Sequence, residues 1–206
     1  MTHQERFVRL NALLQKATSL SRIAIWIAGS LTLISALYIT ADVLVRRLTP
    51  FSLGSSDELS AYAFAISISW ALSFATLQRA NIRIDALYQL LPTRLCAVLD
   101  WVALVGLGFF FVVMTNYAGE VAMTSWNRGS TANTVLGTPL WIPQMLWLAG
   151  LVWFCIVLGL MLLRASLALV TGDLDGMRAV AGMRSSEEEA REEAEAGRRN
   201  IEREAS

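Results

Sequence analysis

Uncharged apolar stretches divide the chain into four candidate membrane spans. Three of their cores contain 19 residues each, and a fourth stretch, 129–163, contains 35. A helix of about 20 residues crosses the ~30 Å hydrocarbon core of a bilayer. Pro139 and Pro143 divide the longest stretch, because proline lacks a backbone N–H and clashes inside a helix. We therefore predict transmembrane helices at about 23–45, 59–78, 95–119 and 143–163.

Small residues recur every four positions in the second of these spans. Side chains of this size let helices approach closely in a bilayer, where lipid provides no hydrophobic drive for association. The alternative is a single lipid-facing helix that happens to be rich in Ala and Ser. We favour a helix with neighbours on more than one side, and we expect close packing at Ala61, Ala65, Ser69, Ser73 and, in the third span, Gly106.

The two ends of the chain differ from the spans. Residues 5–21 place Phe7, Leu10 and Leu14 on one helical face with basic residues elsewhere. This pattern is typical of a helix at the membrane interface, and a disordered basic tail is the alternative. The C-terminal end is rich in glutamate and is either a solvated helix or disordered. The predicted fold is all-α and integral to the membrane, with an interfacial amphipathic segment 1–22, a four-span domain 23–170 and a charged cytoplasmic tail 171–206.

Composition narrows the possible function classes. The 206 residues are 55% hydrophobic, and 17 Lys and Arg balance 17 Asp and Glu, so the net charge gives no reason to expect a nucleic-acid partner. Cys96 and Cys155 lie near the start of a span and inside one, which suggests neither a disulfide framework nor a metal site. The one histidine, His3, lies in the N-terminal tail. Without a nucleophile motif, phosphate loop or ligand cluster, we predict a protein that is not an enzyme and binds no cofactor.

The distribution of Lys and Arg predicts the orientation in the membrane. Ten of these residues lie near the membrane in the N-terminal segment, the second connection and the start of the C-terminal tail. The opposite side has Arg46, Arg47 and Arg128. Because cytoplasmic segments carry the excess of positive charge, both termini are predicted to lie in the cytoplasm.

Two acidic residues near the span ends have more than one interpretation. Asp42 precedes Arg46 by four positions, so a helix brings the two side chains together as an ion pair. Hydration of the Asp42 carboxylate near the headgroups is the alternative. Glu58 opens the second span, where the helix dipole favours an acid. A partner contact, or an ion pair with Arg46 or Arg47, is the other interpretation of Glu58.

Three short segments at the span ends match one family of membrane proteins when taken in order. They are Arg46 with Pro50-Phe51 and Ser56-Asp57-Glu58-Leu59; Arg79 with Asn81-Ile82-Arg83-Ile84-Asp85 and Leu91-Pro92; and Pro139-Leu140-Trp141 with Gly150. With four spans and both ends inside, the chain over about residues 20–170 resembles the DctQ-like small membrane subunit of tripartite ATP-independent periplasmic (TRAP) transporters. That family commonly has a histidine where this chain has Asn81, so any role of an imidazole there does not carry over.

The resemblance implies two protein partners in the bacterial inner membrane and periplasm. In that family a large multi-span membrane subunit carries substrate and sodium by an elevator-type movement. A soluble periplasmic binding protein delivers the substrate, typically an organic acid. The small subunit would widen the static scaffold and help to dock the binding protein. The residues implied in partner contacts are Arg46, Arg47, Glu58 and Arg128 on the periplasmic side, and Arg79, Arg83 and Asp85 at the cytoplasmic interface. Headgroup anchoring is the alternative for each of them.

Two other function classes stay open from the residues alone. A self-sufficient oligomeric carrier or channel would need a polar path, for which Ser60, Ser67 and Ser73 are the candidates. A membrane anchor of a redox enzyme would need haem ligands facing the bundle core, and no predicted span contains histidine.

Overall fold

Four long helices make up the membrane domain. The structure, a computed structural model, describes residues 3–49, 54–78, 91–134, 136–172, 194–195 and 197–198. Each of the four helices is long and apolar enough to cross a membrane, which confirms the all-α, four-span fold. Their bounds are α1 His3–Leu48, α2 Ser56–Leu77, α3 Thr93–Arg128 and α4 Trp141–Thr171.

The helices pack side by side in the order α1, α2, α4, α3. Ser67 on α2 donates a hydrogen bond to the carbonyl oxygen of Ala28 on α1, with 2.9 Å between the oxygens. Thr115 on α3 and Cys155 on α4 are joined by a 3.3 Å hydrogen bond. The second span therefore has neighbours on two sides, α1 and α4. The more central helix is α4, which contacts all three others and fully buries Leu151.

The bundle has two ends, which we name by the helix ends found there. At the hairpin end, α1 and α3 end and α2 and α4 begin. At the terminal end, α1 and α3 begin and α2 and α4 end. On the hairpin end, Gly129 closes α3 in the left-handed conformation, with a φ of 60° that favours glycine. Pro143 lies in the first turn of α4, where the missing N–H has no partner to lose.

The first helix differs from the sequence-based expectation. We expected an interfacial segment followed by a separate span, whereas α1 is one unbroken helix of 46 residues. Ala17 and Ser21, within the expected interfacial segment, are buried, and Ala17 belongs to the same core cluster as Ala165 and Ala168 of α4. Small side chains on α1 allow this close approach, so the segment packs along the bundle. Its depth relative to the membrane surface stays a prediction.

The other helix ends extend beyond the predicted bounds by two to nine residues, except that α2 ends at Leu77, one residue before the predicted end. The largest difference is in α3, predicted to end near Gly119, which continues to Arg128. The sequence argument ended the span where charge begins, but Glu120 is compatible with a helix. The interfacial link predicted between the second and third spans lies largely outside the described residues, and so does most of the charged tail 171–206.

Candidate functional site

A buried carboxylate joins the end of α1 to the start of α2. Asp42 has no exposed surface, and its Oδ2 accepts hydrogen bonds from Arg46 of its own helix and from Ser56 of α2. Arg46 Nη2 also donates to Ser56 Oγ at 3.1 Å. The predicted i,i+4 ion pair between Asp42 and Arg46 is thus present. A buried charge is tolerated when it is paired and hydrogen-bonded, so this cluster fixes how α2 starts beside α1.

The Glu58 carboxylate holds the loop before α4. Its Oε1 accepts a hydrogen bond from the Tyr62 hydroxyl at 2.9 Å, one turn along α2. Its Oε2 accepts a hydrogen bond from the hydroxyl of Thr134, in the loop between α3 and α4. Among the described residues no ion pair joins Glu58 to Arg46 or Arg47. Glu58 therefore ties a loop from the second half of the chain to the start of α2.

The loop that Glu58 reaches has a defined backbone. Ala132 N donates to Thr138 O at 2.9 Å, and Leu140 N donates to Ser130 O at 3.0 Å. These bonds pair the two arms of the loop between α3 and α4, so the chain reverses direction within a narrow loop. Trp126 and Trp141, at its two ends, meet edge to face with ring centroids 4.5 Å apart. The loop is consequently held at three places, by Glu58, by its own backbone and by the indole pair.

Four of the predicted partner-contact residues lie at the hairpin end. Arg46 and Glu58 are engaged as described above, while Arg47 and Arg128 lie exposed at the ends of α1 and α3. The other three, Arg79, Arg83 and Asp85, lie outside the described residues. Charged groups at the ends of three helices, with Thr134 of the loop, thus lie at the same end of the bundle, and we call this set the hairpin-end surface: Arg46, Arg47, Glu58, Arg128 and Thr134.

The residues predicted to pack closely fall into two groups. Ser73 donates to Trp70 O at 3.1 Å and accepts a 3.3 Å hydrogen bond from Ser21 of α1. Ser69 is buried against Gly150, where a Cβ added to the glycine would lie 2.9 Å from Ser69 Cβ. These two serines lie at helix–helix contacts within the chain. Ala61, Ala65 and Gly106 are instead exposed, so their predicted close packing would require another molecule.

Some polar contacts between helices were not foreseen from the sequence. Trp153 Nε1 donates to Ser21 Oγ at 3.1 Å, and Trp101 Nε1 donates to Ser166 Oγ at 2.9 Å. At the terminal end, Arg164 Nε donates to Asn11 Oδ1 at 3.0 Å. The available signal was an indole inside or at the start of an uncharged stretch, or a guanidinium just after one. Such a signal predicts that a buried donor needs an acceptor without identifying that acceptor.

The described part of the chain offers little for catalysis. It contains no group of three His, Cys, Asp or Glu residues placed to hold a metal ion. Neither Cys96 nor Cys155 is part of a disulfide. The arrangement can instead present charges at one end and join helices within the membrane.

Comparison with known proteins assigns most of the chain to a family. A family model described as Tripartite ATP-independent periplasmic transporters, DctQ component, matches residues 35–168. The matched region runs from the middle of α1 to near the end of α4. It includes Asp42 and Glu58 at the hairpin end, together with the residues that bond them. Neither the curated proteins nor the solved structures gave a match.

Proposed function

The chain belongs to the DctQ family of TRAP transporters, and from this premise we propose that it scaffolds the large transport subunit and helps to dock a periplasmic binding protein. Members of this family are the small membrane component of such transporters and are not enzymes. The transport reaction that we propose is sodium-coupled uptake of an organic acid. The family match over residues 35–168 is the observation that carries the proposal.

The use of the span hydroxyls supports a scaffold. A carrier or channel made of this chain alone would need polar groups lining a path, and Ser60, Ser67 and Ser73 were the candidates. Each is buried, and each donates its hydroxyl to a backbone carbonyl within the bundle. The Ser67 bond joins α2 to α1, whereas Ser60 and Ser73 bond carbonyls of α2 itself. In both cases the hydroxyl is satisfied within the bundle and offers little to a permeating solute. Sodium and substrate are therefore expected to bind the large subunit.

The hairpin-end surface is the proposed docking site for the binding protein. The excess of Lys and Arg at the other end favours a cytoplasmic location for both termini, which leaves the hairpin end in the periplasm. Arg47 and Arg128 are exposed there, and exposed charges mainly guide encounter and orientation between proteins. Glu58 and Thr134 position the loop beside them.

Reconstituted uptake tests the scaffold role. Proteoliposomes would contain this chain alone, the large subunit alone, or both, each with the binding protein, a sodium gradient and a labelled organic acid. We expect uptake only when all three proteins are present. Uptake by this chain alone would support the carrier or channel and refute the scaffold. Uptake by the large subunit and binding protein alone, at the full rate, would remove the need for this chain.

A charge reversal tests the docking role in the same vesicles. Arg47→Glu and Arg128→Glu should each raise the binding-protein concentration for half-maximal uptake about threefold, since exposed charge pairs contribute up to ~1 kcal/mol. Arg94→Glu, exposed at the terminal end, is the matched control and should leave that concentration unchanged. An equal effect of all three substitutions would indicate a general loss of assembly in place of docking.

A further inference from the structure

A groove between α3 and α4 opens on the outside of the bundle. Its volume is about 510 Å³, and Val112, Asn116 and Gly119 of α3 line it together with Leu148 and Val152 of α4. The lining is mainly apolar, as expected for a surface within the membrane. Glycine at position 119 leaves open space, because a Cβ added there would meet nothing within 4 Å.

Thr115 and Cys155 in this lining bond each other, and two further polar residues of α3 lie in or next to the groove. Asn116 is exposed, and its Nδ2 donates to Val112 O of its own helix at 2.8 Å. Glu120 is exposed as well and lies one helical turn further along α3. Residues four apart share a helix face, so the Asn116 amide and the Glu120 carboxyl group form a polar strip along α3 that begins in the groove and continues past its lining residues.

The strip lies at the depth of the hydrocarbon core. The Trp126–Trp141 pair marks the hairpin end of α3 and α4, and indole rings prefer the membrane–water interface. With a rise of about 1.5 Å per residue, Glu120 lies about 9 Å and Asn116 about 15 Å further along α3 from Trp126. Since the hydrocarbon core is about 30 Å thick, Asn116 is near its middle.

Lipid is a poor neighbour for this strip. An exposed carboxyl group at this depth loses its hydration and lipid offers it no partner, and the Asn116 amide has only the bond from its nitrogen to Val112 O among the described residues. Such residues usually face other protein. The exposed face of α1 contrasts with it, since Trp26, Ile27 and Leu33 are large, apolar and more than half exposed. Lipid can cover that face of α1 without such a cost.

A third polar group lies near the same groove. The side-chain oxygen of Gln144 is buried and accepts no hydrogen bond within the described part of the chain. Gln144 precedes Leu148 by one turn of α4, so the two share a helix face. An acceptor left unsatisfied in this way is costly in a low-dielectric interior and favours a donor from elsewhere.

We propose that the α3–α4 groove binds a transmembrane helix of the large membrane subunit. That helix presents a hydrogen-bond donor or a cation to Asn116 and Glu120. The assignment rests on the proposed function and adds to it the face that the partner covers. Interhelical hydrogen bonds of this kind hold helices together where the hydrophobic effect does not.

A second copy of this chain fits the groove less well. Two copies inserted in the same orientation are related by an axis along the membrane normal, so the same residue lies at the same depth in both. Glu120 would then face Glu120, and neither copy offers a cation to the other there. A different protein, with a donor at that depth, satisfies the strip.

Site-specific photo-crosslinking in membranes that contain the whole transporter tests the assignment. A photoreactive benzoyl-phenylalanine replaces Gly119 in the groove or, as the matched control, Gly29 on the exposed face of α1. A Cβ at either glycine would meet nothing within 4 Å, so both positions accept a large side chain. We expect an adduct with the large subunit at position 119 and none at position 29. Adducts with lipid alone, adducts with a second copy, or no protein adduct at position 119 would overturn the proposal.

Substitutions of natural residues give an independent measure. Gly119→Leu fills the groove and should lower co-purification of the large subunit about tenfold, whereas Gly29→Leu should leave it unchanged. Glu120→Leu should also lower co-purification, because it removes an acceptor from the interface. If Glu120 faces lipid, the same change improves burial and leaves co-purification intact, which would contradict the proposal.

Measurements on the wild-type complex distinguish a failure of this inference from a failure of the proposed scaffold function. If the large subunit co-purifies with the unmodified chain and uptake needs both, yet position 119 gives no adduct with it, only the assigned face is wrong. If the large subunit does not associate with the unmodified chain at all, the proposed function itself fails.

Discussion

Asp42 is a buried charged residue whose stability in the fold depends on its neighbours. It has no exposed surface, while the side chain of its ion-pair partner Arg46 is 45% exposed. Removing one member of a buried pair leaves an uncompensated charge and typically costs about 3–5 kcal/mol. Partial exposure of the guanidinium reduces that figure, because water can reach one side of the cluster.

Arg46→Ala is therefore expected to lower the free energy of unfolding by about 2 kcal/mol, because Asp42 stays buried after its cation is lost. Thermal unfolding in detergent measures the change. The double variant Asp42→Asn with Arg46→Ala should lose less than the sum of the single variants, since it leaves no charge behind. Arg47→Ala, exposed beside the cluster, is the control. A loss for Arg47→Ala equal to that for Arg46→Ala would contradict this account.

Among the glycines within the four described helices, Gly150 is the one whose added Cβ would meet another side chain. A Cβ there would lie 2.9 Å from Ser69 Cβ and 3.0 Å from the Ser69 carbonyl carbon, so a rotamer change of the serine cannot remove the clash. Gly150→Ala should destabilise the bundle by about 1–3 kcal/mol through forced separation of α2 and α4. Gly159→Ala, on the same helix with nothing within 4 Å, should be neutral or slightly stabilising. Paired thermal melts compare the two variants. Equal melting temperatures would show that the close contact between Gly150 and Ser69 does not limit the stability of the bundle.

At the scale of elements, the first helix shows what local sequence patterns can predict and what they leave open. The uncharged core 23–41 predicts a span correctly because a long apolar helix needs no tertiary information. The boundary drawn before it relied on basic residues such as Lys16 and Arg22. Both are exposed in the structure, and a charge on an exposed face does not end a helix. What ends a helix is a proline or a cap, and none interrupts α1 between His3 and Leu48.

Arg164 is expected to hold the first turns of α1 against α4. It is 7% exposed, donates to Asn11 and lies with its guanidinium carbon 4.5 Å from the centroid of the Phe7 ring. Arg164→Met removes the hydrogen bond and the cation–π contact, which together contribute roughly 1–3 kcal/mol. Amide hydrogen exchange of residues 8–20 should then accelerate about tenfold, because about 1.4 kcal/mol corresponds to a factor of ten.

Arg22→Met is the control for that measurement, since Arg22 is an exposed cation on the same helix. Its removal should leave exchange in residues 8–20 unchanged. If Arg164→Met also leaves exchange unchanged, the N-terminal half of α1 is held by the buried Ala17 and Ser21 contacts and not by Arg164.

At the scale of the whole molecule, the sequence predicts the features that depend on local spacing and misses those that depend on tertiary contacts. The number of spans and the Asp42–Arg46 pair follow from local spacing, and both are found in the structure. The hydrogen bond from Thr134 to Glu58 joins residues 76 positions apart. No local pattern identifies such a partner, since it depends on where α3 and α4 lie relative to α2. For the same reason, the exposure of Ala61 and Ala65 could not be predicted from their regular spacing.

The length of α1 makes the predicted orientation directly measurable. Positions 9 and 49 are 40 residues apart, which is about 60 Å along a helix and twice the ~30 Å hydrocarbon core. Arg9 and Thr49 are both exposed, so a cysteine at either place should reach water, on opposite sides of the membrane.

In a background with Cys96→Ala and Cys155→Ala, an impermeant maleimide should label Thr49→Cys in intact spheroplasts and Arg9→Cys only after lysis. Ser30→Cys, exposed midway along α1, should resist labelling in both conditions, because thiolate does not form in hydrocarbon. The reverse pattern for positions 9 and 49 would place the hairpin-end surface in the cytoplasm, where no periplasmic binding protein can reach it.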